Sequence, residues 1–321
     1  MNPADPGALQ GKLRSAETAQ AILKAIFEQA EGLETIRLME VCGTHTMAIR
    51  RNGIPAMLPE NVELLSGPGC PVCVTPNDTV DRSIALASQE GVIVATFGDM
   101  MRVPGSETSL SAERARGADV RVVYSPLDAL KLARQERGRQ VVFLGVGFET
   151  TAPTVAAAIR TAEGEGLDNF SVLVSHKVVP PALSALLSMD DFSVQGFLMP
   201  GHVTAIIGAD AYKPVAEQHG IPCVVAGFEP ADVLLSILML LRQIRSGQAK
   251  VEIEYLSVVK PQGNPTAQAL LREVFQPVDS PWRGLGVIPG SGLELRPELA
   301  HLDADRRFQI QVPPARENPG C

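Results

Sequence analysis

Apolar and polar positions alternate with a period that switches repeatedly along the 321-residue chain. Leu9, Leu13, Ala16, Leu23 and Phe27 recur at helical spacing. They predict one amphipathic helix over residues 8–32, stopped by Gly32 and packed outside the first sheet. Apolar or β-branched runs of strand length follow at 36–41, 62–65, 92–97 and 120–124, with helical segments at 79–89 and 112–117. The pattern then restarts. A helix at 126–137 opens on Pro126, an almost wholly apolar strand covers 141–146, and a helix covers 153–163. Further strands are expected at 171–175, 195–199 and 222–226, and helices at 181–187, 205–208 and 212–219.

Strands alternating with helices argue for βαβ units and parallel sheets. The chain therefore reads as α/β: an N-terminal helix (1–32), then two successive Rossmann-like parallel-sheet units (33–125 and 126–229) facing a cleft. A third region (230–321) holds a long helix at 230–247, a short strand around 251–258, a helix at 265–274 and a Pro- and Gly-rich, loop-dominated remainder from 276.

With 45% hydrophobic and 20% charged residues the chain can bury real cores. A net charge of −8 offers no electrostatic footprint for nucleic acid or anionic lipid, so the expected partners are proteins or small ligands. Five cysteines are too sparse for a disulfide framework and point to thiol chemistry in a reducing, cytoplasmic compartment. The N-terminal MNPADPGALQGK shows no basic-then-apolar leader. The longest apolar run, 231–241, contains Asp232 and falls well short of the ~20 residues needed to span a bilayer.

The polar residues that can carry chemistry gather just after the apolar runs, where open α/β sheets bind their ligands. Glu40-Val41-Cys42-Gly43-Thr44-His45-Thr46 follows the first strand. Its thiol and imidazole, three residues apart, can share a metal, or His45 can lower the Cys42 pKa; the plain alternative is a buried Cys beside a hydrogen-bonded His. Gly67-Pro68-Gly69-Cys70-Pro71-Val72-Cys73 places two sulfurs close enough to form a disulfide or share a metal within a tight loop. Cys42, His45, Cys70 and Cys73 also have the ligand types of a structural zinc, without a second paired motif at the usual spacing.

In Gly145-Val146-Gly147-Phe148-Glu149-Thr150-Thr151, Gly-x-Gly is half of a dinucleotide fingerprint. The third Gly is missing, and Glu149 puts a carboxylate where a pyrophosphate would approach. The alternative is a strand-to-helix turn capped by Thr150 or Thr151. Ser175-His176-Lys177 and Pro200-Gly201-His202-Val203 end two further strands and can each be an ordinary turn. Their shared location is what argues for function: Cys42, His45, Cys70, Cys73, Glu149, His176 and His202 are expected to line the crevice between the sheets. No Walker loop or Gly-x-Ser-x-Gly elbow is present. Cys223 reads as core, and His219 and His301 as solvated.

Taken together, CGTHT, GPGCPVCVTP, GFETTAPT, HKVVPPAL, PGHV and GFEP, followed by WRGLGVIPGSGLELR, resemble the HypD family of NiFe-hydrogenase maturation proteins, from about Arg37 to Cys321. The resemblance implies a scaffold with thiol redox chemistry rather than a conventional turnover enzyme. On it the iron centre carrying two cyanides and one carbonyl is assembled: the small protein HypC helps hold the iron, HypE hands over cyanide, and the product serves the hydrogenase large subunit. The resemblance places the iron-binding thiol at Cys42 and the redox pair at Cys70 and Cys73; His45, Glu149, Thr150 and His202 match further cleft positions. Family members continue past the Pro-Gly-Cys at Cys321 into a cysteine-rich segment that ligates a four-iron four-sulfur cluster. Such a cluster needs about four thiolates, so Cys321 alone is not expected to hold one. Two other readings of the same residues are a free-standing thiol–disulfide oxidoreductase using Cys70 and Cys73, and a zinc-stabilised binding protein.

Overall fold

The computed structural model describes residues 16–315. Among them the strands, numbered along the chain, are β1 (Ile36–Glu40), β2 (Val62–Ser66), β3 (Val92–Thr96), β4 (Val120–Val122), β5 (Gln140–Gly147) and β6 (Phe170–His176). The series continues with β7 (Gly196–Pro200), β8 (Cys223–Ala226), β9 (Val251–Ile253), β10 (Phe275–Trp282) and β11 (Gly286–Leu295). One parallel sheet has the order β2-β1-β7-β8-β9, another the order β4-β3-β5-β6, and β10-β11 is an antiparallel hairpin. The class is α/β with two Rossmann-like sheets, as the period changes predict.

The partition of the chain differs from the sequential one at 33–125, 126–229 and 230–321. One compact unit takes residues 16–70 with Leu183–Pro265 and holds the five-stranded sheet. The other takes Pro71–Ala182 with 266–315 and holds the four-stranded sheet and the hairpin. β1 and β2 thus pair with strands from late in the chain. Alternation of strand and helix identifies elements but not neighbours. β3, β7 and β8 are buried at every position, so no alternating face marks which strand each must join.

In the first unit the helix Ala16–Ala30 buries Ile22, Ile26 and Ala30 in one core with Val233, Leu234, Ile237 and Leu241 of the helix Pro230–Ser246. Residues 8–15 of the expected N-terminal helix lie outside the described residues. A reciprocal cap by Glu229 and Asp232 starts the helix Pro230–Ser246, and Gly247 at φ +65° ends it. Its apolar residues are therefore core, and no helix of the described residues is long and apolar enough to cross a membrane.

The region from 276 corrects the loop expectation. Phe275, Ser280, Trp282, Ile288, Ser291 and Leu295 are buried positions of the β10-β11 hairpin, which carries a register shift between Val278 and Ser280. The short helical turns Pro297–Leu302 and Ala304–Phe308 follow. Pro277, Pro281 and Pro289 disguise the alternation. A two-stranded ribbon tolerates them because each strand has an edge that needs no ladder donor.

In the second unit Asn169, buried at the start of β6, ties the end of the helix Pro126–Gln135 to the sheet. Its Nδ2 donates to the carbonyls of Ala133 (2.9 Å), Glu136 (3.2 Å) and Arg139 (3.0 Å). Asn169→Ala removes the donor and leaves those carbonyls short of partners. A loss of about 1–3 kcal/mol in denaturant unfolding is expected, and an unchanged midpoint would show that the carbonyls find other donors.

Candidate functional site

Cys42 sits two residues beyond β1, at the N-cap position of the helix Gly43–Arg51, with extended dihedrals (φ −152°, ψ 117°). Sequence reading missed that helix: Gly43, Thr44 and Thr46 look like loop residues, and its propensity is weak. The buried carboxylate of Glu40 fixes the turn. Its Oε2 accepts the Cys42 N–H (2.9 Å) and its Oε1 accepts the Thr46 hydroxyl. Burial raises the Glu40 pKa, opposed by hydrogen bonds from Thr46, Cys42 and Ser66. Burial likewise raises the Cys42 pKa, against the pull of the His45 and Thr44 N–H groups and the Thr44 hydroxyl. Of the alternatives open in sequence, a lowered Cys42 pKa is not found: the His45 ring is neutral with Nε2 on Gly227 O, and desolvation outweighs the amides.

The loop after β2 lies against this turn because two of its residues have no side chain. A Cβ at Gly67 would come within 2.8 Å of Met39 Sδ and 2.9 Å of Val41 Cγ1, and one at Gly69 would overlap the Cys42 backbone. Gly67 N–H donates to Glu40 O, and Gly43 N–H to Gly69 O, each at 2.8 Å. Cys70 is thereby delivered beside Gly43, whose Cβ position is 3.4 Å from Cys70 Cβ. Cys70 and Cys42 therefore share one strand-end corner. Cys73 follows within the single helical turn Pro71–Val74, where the Thr75 hydroxyl donates to Pro71 O (2.7 Å). Cys70 and Cys73 are half-buried thiols.

His45 occupies the first turn of the Gly43–Arg51 helix, buried, with Nε2 2.9 Å from Gly227 O. Burial is the main cause that pushes its pKa down to about 4, so the ring is neutral at pH 7. Phe228 stacks on it (centroids 4.7 Å apart, planes at 29°) and on the exposed His202 (4.0 Å, 18°), with Tyr255 edge-on (5.9 Å, 89°). Burial lowers the His202 pKa. Gly201 makes room, because a Cβ there would meet Ala226 O at 2.6 Å and Tyr255 Cδ1 at 2.9 Å. Gly227 N–H donates to Glu254 Oε2 (2.9 Å), and burial pushes the Glu254 pKa up to about 7.

Glu149 and His176 belong with Cys73 to the second unit, whereas Cys42, His45, Cys70 and His202 belong to the first. The glycines of Gly145-Val146-Gly147 give their neighbours clearance. A Cβ at Gly145 would lie 3.1 Å from His176 Cε1, and one at Gly147 would overlap Thr151 Oγ1 and approach His176 Cδ2 at 3.4 Å. Thr151 holds the N-cap position of the helix Ala152–Glu165, as one reading expects, but its hydroxyl donates back to Phe148 O (3.3 Å) instead of capping. Glu149 is buried, with Oε1 accepting the Val179 N–H (2.8 Å) and Oε2 unpartnered. Burial pushes its pKa up to about 7. Burial, then the Lys177 charge, pushes His176 down to about 3, and neither ring nitrogen has a partner. Lys177 donates to Ser280 Oγ (2.5 Å), and burial lowers its pKa to about 8.

Cys223 is buried in β8 as expected. Cys321, the position assigned to the cluster segment, lies outside the described residues. Among the described residues no group of three or more His, Cys, Asp or Glu is arranged to hold a metal ion. Two contributors escaped sequence reading. Glu40 had a signal, since Ile36, Leu38 and Glu40 fall on the buried face of β1 and a carboxylate there demands partners. Glu254 had none, because only the fold brings it to Gly227.

Comparison with known proteins gives the family of the chain. The family model described as "HypD: Hydrogenase formation hypA family" matches residues 17–321, and the chain belongs to that family. It is 46% identical to the hydrogenase maturation factor HypD of Azotobacter vinelandii over 317 residues, covering 97% of this chain and 84% of the relative. The factor of the same name from Escherichia coli K12 is 46% identical over 302 residues, covering 92% and 81% respectively. That from Rhodobacter capsulatus is 46% identical over 320 residues, covering 97% and 85%.

The buried Glu149 gives the protein a specific pH response. A glutamate ionises near 4.5 when exposed, whereas here the proton is retained until about 7. The stability associated with this group is fully present below about pH 4.5 and is lost as pH rises to about 7. At roughly 1.4 kcal/mol per pKa unit the loss amounts to about 3 kcal/mol. Glu149→Gln cannot ionise, so in denaturant melts the variant should gain on the parent between about pH 5 and pH 8; a difference constant across that range would contradict burial as the cause.

Proposed function

We propose that the chain acts in hydrogenase maturation as the scaffold on which an iron centre bearing cyanide and carbonyl is assembled, with Cys42 as the iron-binding thiol. The observation that carries this reading is the construction of the Cys42 corner. A buried thiol sits at the carboxyl end of a parallel strand, its backbone held by Glu40 and its sulfur facing the Thr44 and His45 N–H groups. Burial keeps the thiol protonated at neutral pH, so the sulfur takes iron by exchanging its proton for the metal. A soft thiolate suits iron that carries cyanide and carbonyl. The names of the relatives, hydrogenase maturation factors, support the same reading.

The iron is cargo shared with HypC, and cyanide arrives from HypE. Cys70, at the same corner, and Cys73, one turn further, supply reducing equivalents: two thiols close to a disulfide and release two electrons and two protons to the ligand-loading step. His45 and His202, whose pKa values burial lowers, bring no positive charge to the first unit's site.

Cys42→Ala tests the assignment. In complex with HypC the variant should retain iron more than about tenfold less well, since loss of even an outer-shell partner costs that much. The infrared bands of bound cyanide and carbonyl should disappear with the iron. Undiminished iron and bands would remove Cys42 from the mechanism. Disulfide reduction by the chain alone, with turnover in the absence of any partner, would favour a free-standing oxidoreductase instead.

A further inference from the structure

The turn Gly227-Phe228-Glu229, between β8 and the helix Pro230–Ser246, is held at more points than a connecting turn needs. Gly227 N–H donates to Glu254 Oε2 (2.9 Å), and Glu229 N–H donates to Asp232 Oδ2 (3.1 Å). A Cβ at Gly227 would overlap the Asp232 carboxylate, so Gly227 fits where other residues do not. Glu254 is itself anchored through its own N–H to Val225 O (2.9 Å). The Phe228 ring is clamped between His45 and His202.

The element that this turn presents to the Cys42 corner is the Gly227 carbonyl. A carbonyl oxygen only accepts, so the contact at 2.9 Å requires the proton of the neutral His45 ring to sit on Nε2. Nδ1 is then a bare lone pair. It is buried, on a side chain 1% exposed, and has no hydrogen-bond partner. Leaving a buried acceptor empty costs free energy. The cost persists here because the turn over-determines the ring from both its edge and its face. Any use of Nδ1 as a hydrogen-bond acceptor or electron-pair donor needs this tautomer.

We propose that Glu254 is a positioning residue for the Cys42 centre: acting through the Gly227 turn, it fixes His45 as the Nε2–H tautomer and keeps the Nδ1 lone pair available three residues from the thiol. Without an acceptor at 254 the Gly227 N–H is left without its carboxylate, the turn is freed to shift, and the carbonyl no longer selects one tautomer. The proposal rests on the reading of Cys42 as the iron-binding thiol.

The test uses the full chain with 15N-labelled histidine, metal-free and then titrated anaerobically with ferrous ion alone. The His45 ring should show Nε2 protonated and Nδ1 bare in the parent and in Glu254→Gln, whose amide oxygen still accepts from Gly227. Glu254→Ala should populate both tautomers and retain ferrous ion about tenfold less well, the scale of losing an outer-shell partner. A merely structural role would lower the melting temperature of Glu254→Ala but leave the tautomer unmoved, and that outcome overturns the proposal. So does a parent protein with the proton on Nδ1, a measurement that needs no variant to fold. Cys42→Ala, titrated in parallel, separates the two ideas: retained iron there rejects the role of Cys42, whereas the tautomer of the metal-free chain judges Glu254 by itself.

Discussion

A carboxylate buried where a core residue belongs sets the geometry of the first unit's site. Glu40 ends β1 on its inward face, 1% exposed, and among the described residues no lysine or arginine side chain bonds it directly. Such a group is costly unless its lone pairs are filled. They are filled by the Cys42 N–H, the Thr46 hydroxyl and Ser66, which are the groups that define the strand-to-helix turn and the end of the neighbouring strand. Satisfying Glu40 and placing Cys42 are therefore one event. The thiol is positioned by backbone hydrogen bonds rather than by side-chain packing, and the glycine loop that brings Cys70 fits only because the turn has this shape.

The same physics governs the ionisable groups. Desolvation raises the pKa values of Cys42, Glu149 and Glu254 and lowers those of His45 and His176, and in each case burial is the leading cause. Acids are pushed toward holding their protons and bases toward losing them: at pH 7 Cys42, His45 and His176 are neutral, and Glu149 and Glu254 are near their midpoints. On the proposed function, a metal complex that brings its own anionic ligands would be held at the Cys42 corner by a soft donor and oriented N–H groups, which act at short range and demand the positional control that Glu40 and the Gly227 turn provide.

How much of this was legible follows from what each signal encodes. Period and capping residues placed the helix Pro126–Gln135, whose Ser125 cap accepts the Leu127 N–H at 3.2 Å, and the fully buried β3 and β8 near their true bounds. The strand-end motifs located Cys42, Cys70 and His45. Hidden were the facts that depend on long-range pairing: β1 joining β7, the hairpin masked by its prolines, and the approach of Glu254 to Gly227 across 27 residues of chain. The orientation of His45 was hidden for a related reason. A Cys and a His three residues apart suggest a direct pair, but the ring is claimed by a carbonyl 182 residues away.

The glycines show why motif chemistry needs a structure to be read correctly. Gly145 and Gly147 look like half of a dinucleotide fingerprint, and Gly67 and Gly69 like parts of a tight loop. Each instead removes a Cβ that would collide with a specific neighbour: His176, Thr151, Met39 and the Cys42 backbone. At Gly69 and Gly145 the missing atom lets Cys42 or His176 lie close to main chain, and none of the four has the positive φ that marks glycine's conformational use. A glycine beside a reactive residue at a parallel strand end therefore reports clearance as readily as it reports a ligand, and the two are told apart by what a methyl group would strike. At Gly69 it would strike the Cys42 backbone and at Gly145 it would crowd His176, so these glycines belong to the construction of those strand ends and say nothing about a nucleotide.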